Sequence, residues 1–111
     1  MWNYRAHCYR VVDGDTYDVA VDLGFNIYHK IRLRLKGVDT PEVFGANASE
    51  EGKTVSEYVR GMLENKDCVI TTYKIQPSTF NRYEADVMVL VDGVPVDIAV
   101  HLVEKGYAAK V

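Results

Sequence analysis

Asp13-Gly14-Asp15-Thr16-Tyr17-Asp18-Val19-Ala20-Val21-Asp22 is the stretch on which the reading of the fold turns. Tyr17, Val19 and Val21 alternate with Thr16, Asp18, Ala20 and Asp22, the two-residue period of a strand with one buried face. Ahead of it Tyr9-Arg10-Val11-Val12 runs into Asp13-Gly14-Asp15, a tight turn in which Gly14 is expected to take a positive φ. The two segments make a hairpin.

Working outward, Leu23-Gly24-Phe25-Asn26 makes a second turn, and residues 27–36 form a third strand. Ile31, Leu33 and Leu35 face one way there, and Lys30, Arg32, Arg34 and Lys36 the other. Gly37 and Pro41 end it. The spacing of Val55, Tyr58, Val59, Met62 and Leu63 predicts a helix over about residues 48–65, with Gly52 and Gly61 lowering its intrinsic propensity. Residues 68–74 read as a fourth strand, a polar loop with Pro77 and Ser78 follows, and residues 85–91 read as a fifth strand turning at Asp92-Gly93. A last helix over about residues 97–105 turns Val100 and Val103 inward and stops at Gly106. Three strands, a helix, two strands and a helix suit a mainly β, five-stranded, partly closed barrel of the OB type. The whole chain, 1–111, reads as a single domain.

A hydrophobic content of 48% and a charged content of 26% are those of an ordinary globular domain. No apolar run is long enough to span a bilayer, and the N-terminus lacks the apolar core of a secretory signal, so a monomer with no membrane partner is expected, cytoplasmic unless a leader has been removed, which leaves secretion open. Cys8 and Cys68 lack the close spacing of a thiolate metal site and read as buried free thiols, although sequence alone leaves a disulfide open. The net charge of −3 argues against a passive binder of nucleic acid, which relies on a positive surface. It argues less against a hydrolase, whose site needs both signs: basic residues gather at 30–36 and acidic ones around 13–22.

Three clusters carry chemistry: Asp13-Gly14-Asp15-Thr16, Arg34-Leu35-Lys36-Gly37-Val38-Asp39-Thr40-Pro41-Glu42, and Asn81-Arg82-Tyr83. Carboxylates from two strand ends beside a backbone carbonyl supply oxygen ligands for a hard cation such as Ca²⁺. A further carboxylate, Glu42, has the chemistry to accept a proton from water, and arginines suit the oxygens of a phosphate under attack.

Asp-Gly-Asp-Thr, then an arginine followed five residues later by Asp-Thr-Pro-Glu, resembles the staphylococcal nuclease (thermonuclease-like) family, from about Tyr9 to Val111. The resemblance implies an OB-type barrel and a Ca²⁺-dependent endonuclease acting on single-stranded DNA and RNA, leaving a 3′-phosphate and a 5′-hydroxyl. By position it makes Asp15 and Asp39 the metal carboxylates, with the Thr40 carbonyl beside them and Asp13 close by. It makes Glu42 the general base and Arg34 the first phosphate-clamping arginine. Arg32 does not match the motif and reads as solvated, or at most a secondary phosphate contact. The second arginine is Arg82 by the motif, but counting back from Asp92-Gly93 puts Glu84 there. Phe80 stands where a substrate-contacting tyrosine often does, keeping the ring and losing the hydroxyl. The sequence ends at Val111, short of the extra helix and tyrosines that some members place around the nucleotide, so base preference and affinity are expected to differ.

The rival reading is a non-catalytic nucleic-acid or protein binding module of the same family. His7, His29 and His101 lie on separate elements and suggest no histidine-based chemistry.

Overall fold

The computed structural model describes residues 2–46, 48–72 and 82–111, and of Arg82 the backbone alone. Strands β1 (Trp2–Asp13), β2 (Thr16–Asp22) and β3 (Tyr28–Leu35) form an antiparallel meander. The two-residue strand β4 (Val38–Asp39) leads toward helix α1 (Glu50–Leu63), which is followed by β5 (Lys66–Thr72). Then come β6 (Arg82–Val91), β7 (Val94–Asp97), helix α2 (Ile98–Glu104) and β8 (Ala109–Lys110).

The sheet order is β3-β2-β1-β5-β6-β7, and β3 also pairs in parallel with β6, from Arg32 beside Arg82 to Leu35 beside Ala85. That pairing closes β1, β2, β3, β6 and β5 into a ring, the OB-type barrel. Its interior is filled by Cys8, Val11, Tyr17, Val19, Leu33, Leu35, Ile70 and Val87. Val55, Val59 and Leu63 of α1 and Ile98 and Leu102 of α2 extend the same core.

The alternation read from the sequence places Tyr17, Val19 and Val21 inside and predicts the buried stripe of α1 correctly. Helix α1 is bounded more tightly than its apolar spacing suggests, because the Ser49 hydroxyl caps it by accepting from the Gly52 N–H (3.0 Å). Three short strands escape the sequence reading, since two to four residues of β4, β7 and β8 are too few to show a period. Strand β1 begins well before Tyr9, and β6 begins at Arg82 rather than at residue 85. Val100 is exposed; Ile98, Ala99 and Leu102 make the buried face of α2, so the inward assignment of Val100 was wrong. The loop with Pro77 and Ser78 lies outside the described residues.

Strand β1 serves two partners by bending. Its pairing with β2 shifts register between Cys8 and Arg10 and again between Val11 and Asp13. Side chains from the end of α1 meet the second irregularity: the Val11 N–H donates to Glu64 Oε2 (2.9 Å), and Arg60 Nη2 donates to the Val11 carbonyl (3.1 Å). Arg60 and Glu64 are themselves paired at 3.3 Å, one helical turn apart. The helix therefore fixes the strand just before the Asp13-Gly14-Asp15 turn.

Candidate functional site

The turn between β1 and β2 is held locally by Asp13, whose Oδ1 accepts from the Asp15 N–H at 3.1 Å, and by the buried Tyr17 hydroxyl, which donates to the Gly14 carbonyl at 2.6 Å. Gly14 does not take the positive φ expected of it. Its role is close approach: a Cβ there would stand 2.7 Å from Thr40 Oγ1 and 2.8 Å from Val55 Cγ1. The hairpin turn is thereby pressed against both the segment after β4 and helix α1. Gly52 does the same for the next segment, because a Cβ on it would collide with the Glu42 carbonyl and lie 2.9 Å from the Pro41 oxygen. The Glu42 carbonyl accepts from the Ser49 N–H at 3.0 Å.

These approaches bring Asp15 to Thr40. Asp15 Oδ2 accepts from the Thr40 N–H (3.2 Å), and its Oδ1 accepts from Thr16 Oγ1 (3.3 Å). Arg34 reaches the same carboxylate at 3.5 Å, donates to the Val38 carbonyl at 3.4 Å and pairs closely with Asp39 through the same Nη2. A single guanidinium nitrogen thus gathers two carboxylates from different strand ends. Burial, helped by the neighbouring Asp15 carboxyl, pushes Asp13 up to about 6. Thr40 is buried, and its Oγ1 is a buried polar atom with no hydrogen-bond partner among the described residues. Glu42 is exposed.

Asp15, Asp39, Thr40 and Arg34 are therefore contiguous, with Asp13 beside them. Among the described residues no three His, Cys, Asp or Glu side chains gather into a ready-made metal site. The donors that do meet are oxygens only, which suits Ca²⁺ rather than a softer metal.

Family comparison agrees with this constellation. Residues 32–111 match the family described as staphylococcal nuclease homologue. The chain belongs to the staphylococcal nuclease family. No curated protein matches it. Membership carries nuclease-like or nucleic-acid-binding function in general terms. The match takes in Arg34, Asp39, Thr40 and Glu42, while Asp15 precedes it and joins the site through the contacts just described.

Two expected positions are less completely described. Phe80 lies outside the described residues, as does the side chain of Arg82. The backbone register sets Glu84 beside Arg34 and the Arg82 backbone beside Arg32. Arg32 is not simply solvated: Nε and Nη2 fork onto Asp18 at 2.9 and 3.2 Å. Cys8 and Cys68 are buried free thiols, as expected. The histidines stay apart from the site, His7 on Asp67 (2.8 Å), His101 on the Tyr58 hydroxyl (2.6 Å), and His29 exposed on β3.

Sequence reading missed the fitting role of Gly14 and Gly52, the orphaned Thr40 Oγ1 and the Asp18–Arg32 fork. A glycine in the first turn of an otherwise good helix was the signal for Gly52. The cross-strand pair Asp18 and Arg32 was unreadable before the register was known.

Proposed function

We propose that the protein is a Ca²⁺-dependent endonuclease that hydrolyses phosphodiester bonds of single-stranded DNA or RNA. The observation that carries this is the convergence of Asp15 and Asp39 on Arg34, beside a Thr40 whose N–H donates to Asp15. Asp15, Asp39 and the Thr40 carbonyl are the residues that would hold Ca²⁺. Bound there, the ion would supply positive charge to polarise the phosphate and to lower the pKa of water.

Glu42 takes a proton from the attacking water, whose oxygen forms the new bond to phosphorus. The bond from phosphorus to the 5′ oxygen breaks, and that oxygen leaves as a hydroxyl after gaining a proton, so the phosphate stays on the 3′ side. Arg34 and Arg82 oppose the charge that grows on the phosphate oxygens, a task that suits the planar guanidinium fork. Phe80 offers a ring to a base.

A second reading, a binding module without turnover, is favoured by one observation. Arg34 is held by both carboxylates at once, and among the described residues no three acids gather in a way that could hold a metal ion. Incubation of denatured DNA and RNA with the protein and Ca²⁺, with and without chelator, separates the two. Chelator-sensitive cleavage that is lost in Arg34→Ala supports the enzyme, and intact substrate with measurable binding supports the module. In the same assay, loss of turnover in Arg82→Ala but not in Glu84→Ala assigns the second arginine to Arg82.

A further inference from the structure

Outside the site, one cluster on the outer face of the ring joins charge to an aromatic ring. In register across β1, β2 and β3 stand Arg10, Asp18 and Arg32. The register shift next to Arg10 leaves Tyr9 as an extra residue on β1, its side chain partly exposed. Lys30 Nζ lies 5.3 Å from the centre of the Tyr9 ring. Asp18 is buried beneath this group, and Arg10, Lys30 and Arg32 are exposed. Asp18 engages Nε and one Nη2 hydrogen of Arg32, and among the described residues the other three of the five guanidinium N–H groups are left to a ligand.

The cluster adjoins the site. Arg32 precedes Arg34 by two positions on β3, so it is on the same side of the sheet and about 6.7 Å along the strand. That is a separation one nucleotide step of an extended single strand can span.

We propose that Tyr9, Lys30 and Arg32 form a second nucleotide subsite for single-stranded nucleic acid. It takes the phosphate and base next to those held at Arg34, and Asp18 aims the Arg32 fork. The proposal rests on the nucleic-acid reading above and supplies what the net charge of −3 withholds, a local seat for substrate. The Tyr9 ring, steadied from one side by Lys30, offers π surface to a base, and Arg32 and Lys30 offer charge to a phosphate. Arg32 was read from sequence as at most a secondary contact; the fork to Asp18 gives it a fixed direction.

The test is binding of a labelled single-stranded dodecamer in chelator, followed across a range of KCl concentrations. Replacing Arg32→Ala and Asp18→Asn together removes the cation without stranding the buried acid. This double variant is expected to bind about 5-fold more weakly, with a salt slope shallower by about 0.7, one phosphate contact fewer. Tyr9→Leu is expected to weaken binding by about 5- to 10-fold with the slope unchanged. Lys30→Gln, at an exposed position, provides a charge deletion should the double variant fail to fold, with the same expected slope change. Wild-type affinity and slope in all the folded variants, or equal affinity for a blunt duplex of the same length, would overturn the proposal. Because no metal is present, a chain that binds in this way but never cleaves defeats the enzyme reading and leaves the subsite standing. A chain that cleaves while these variants bind as wild type defeats the subsite alone.

Discussion

Gly14 and Thr40 approach so closely that a Cβ on the glycine would lie 2.7 Å from the threonine Oγ1. This contact joins the first hairpin to the segment carrying Asp39, and it sets the position from which Asp15 accepts the Thr40 N–H. Gly14→Ala must push Thr40 and Val55 away. The expected result is a loss of about 1–3 kcal/mol in urea unfolding, together with a larger proportional loss of activity. Unchanged stability and turnover would show that the contact gives way without consequence.

Arg34 offsets two carboxylates, one of them buried. Arg34→Met should cost about 2 kcal/mol without divalent cation, since it strands Asp15 with less compensating charge, and Ca²⁺ should restore part of that loss. Cleavage should fall by about 100- to 1000-fold even in saturating Ca²⁺. Thermal melts with and without Ca²⁺, set beside single-turnover rates, measure both effects.

Asp13 supplies a pH dependence of definite sign. Its folded pKa of about 6 lies above the ordinary aspartate value of 3.8, so the folded state holds the proton more tightly. Its contribution to stability is present below pH 3.8 and is lost as pH rises through about 6. In Asp13→Asn, which keeps an oxygen for the Asp15 N–H, that decline should disappear. Stability near neutral pH should rise by about 1 kcal/mol, a figure discounted for the partial solvent exposure of the group. Denaturant melts in chelator at a series of pH values check this, and an unchanged profile in the variant counts against it.

How far the sequence disclosed all this depends on the length of each pattern. Val19 and Val21 in β2 and Val55, Val59 and Leu63 in α1 repeat often enough for their period to declare both element and buried face. Val38–Asp39 spans two residues and has no period, so the strand that presents Asp39 is recognisable only from its pairing with Ala109 and Lys110. Asp15, Arg34, Asp39 and Thr40 were legible as chemistry because their residue types are unusual together. Their contact was not, because it depends on Gly14 and Gly52, whose contribution is the absence of an atom. Val100 misled for a simpler reason: in a helix as short as α2, one valine does not establish a stripe.

The two thiols give a chemical check on the core. Burial, offset in part by a backbone hydrogen bond with Arg10, pushes the Cys8 thiol up to about 12, and burial pushes Cys68 to about 11. Both should stay unreactive toward a thiol reagent at pH 8 in the native state and react promptly in denaturant. Their stabilising contribution is intact below the ordinary thiol value of 9.0 and declines as pH climbs toward 11 and 12. Fast native-state labelling would mean that the ring opens locally around β1 and β5.

The parallel seam between β3 and β6 has a consequence for how the protein matures. Its four paired positions join segments far apart in the chain, and Arg34 sits on it. A growing chain can form the β1–β2 hairpin and gather Asp13 and Asp15 early, from neighbours in sequence. It cannot close the ring until β6 has been made, and contacts of such long range form late. Arg34 can meet Asp15 through the earlier β2–β3 pairing, so the acid and its counterweight come together ahead of the ring, and closure by β6 then locks them in place.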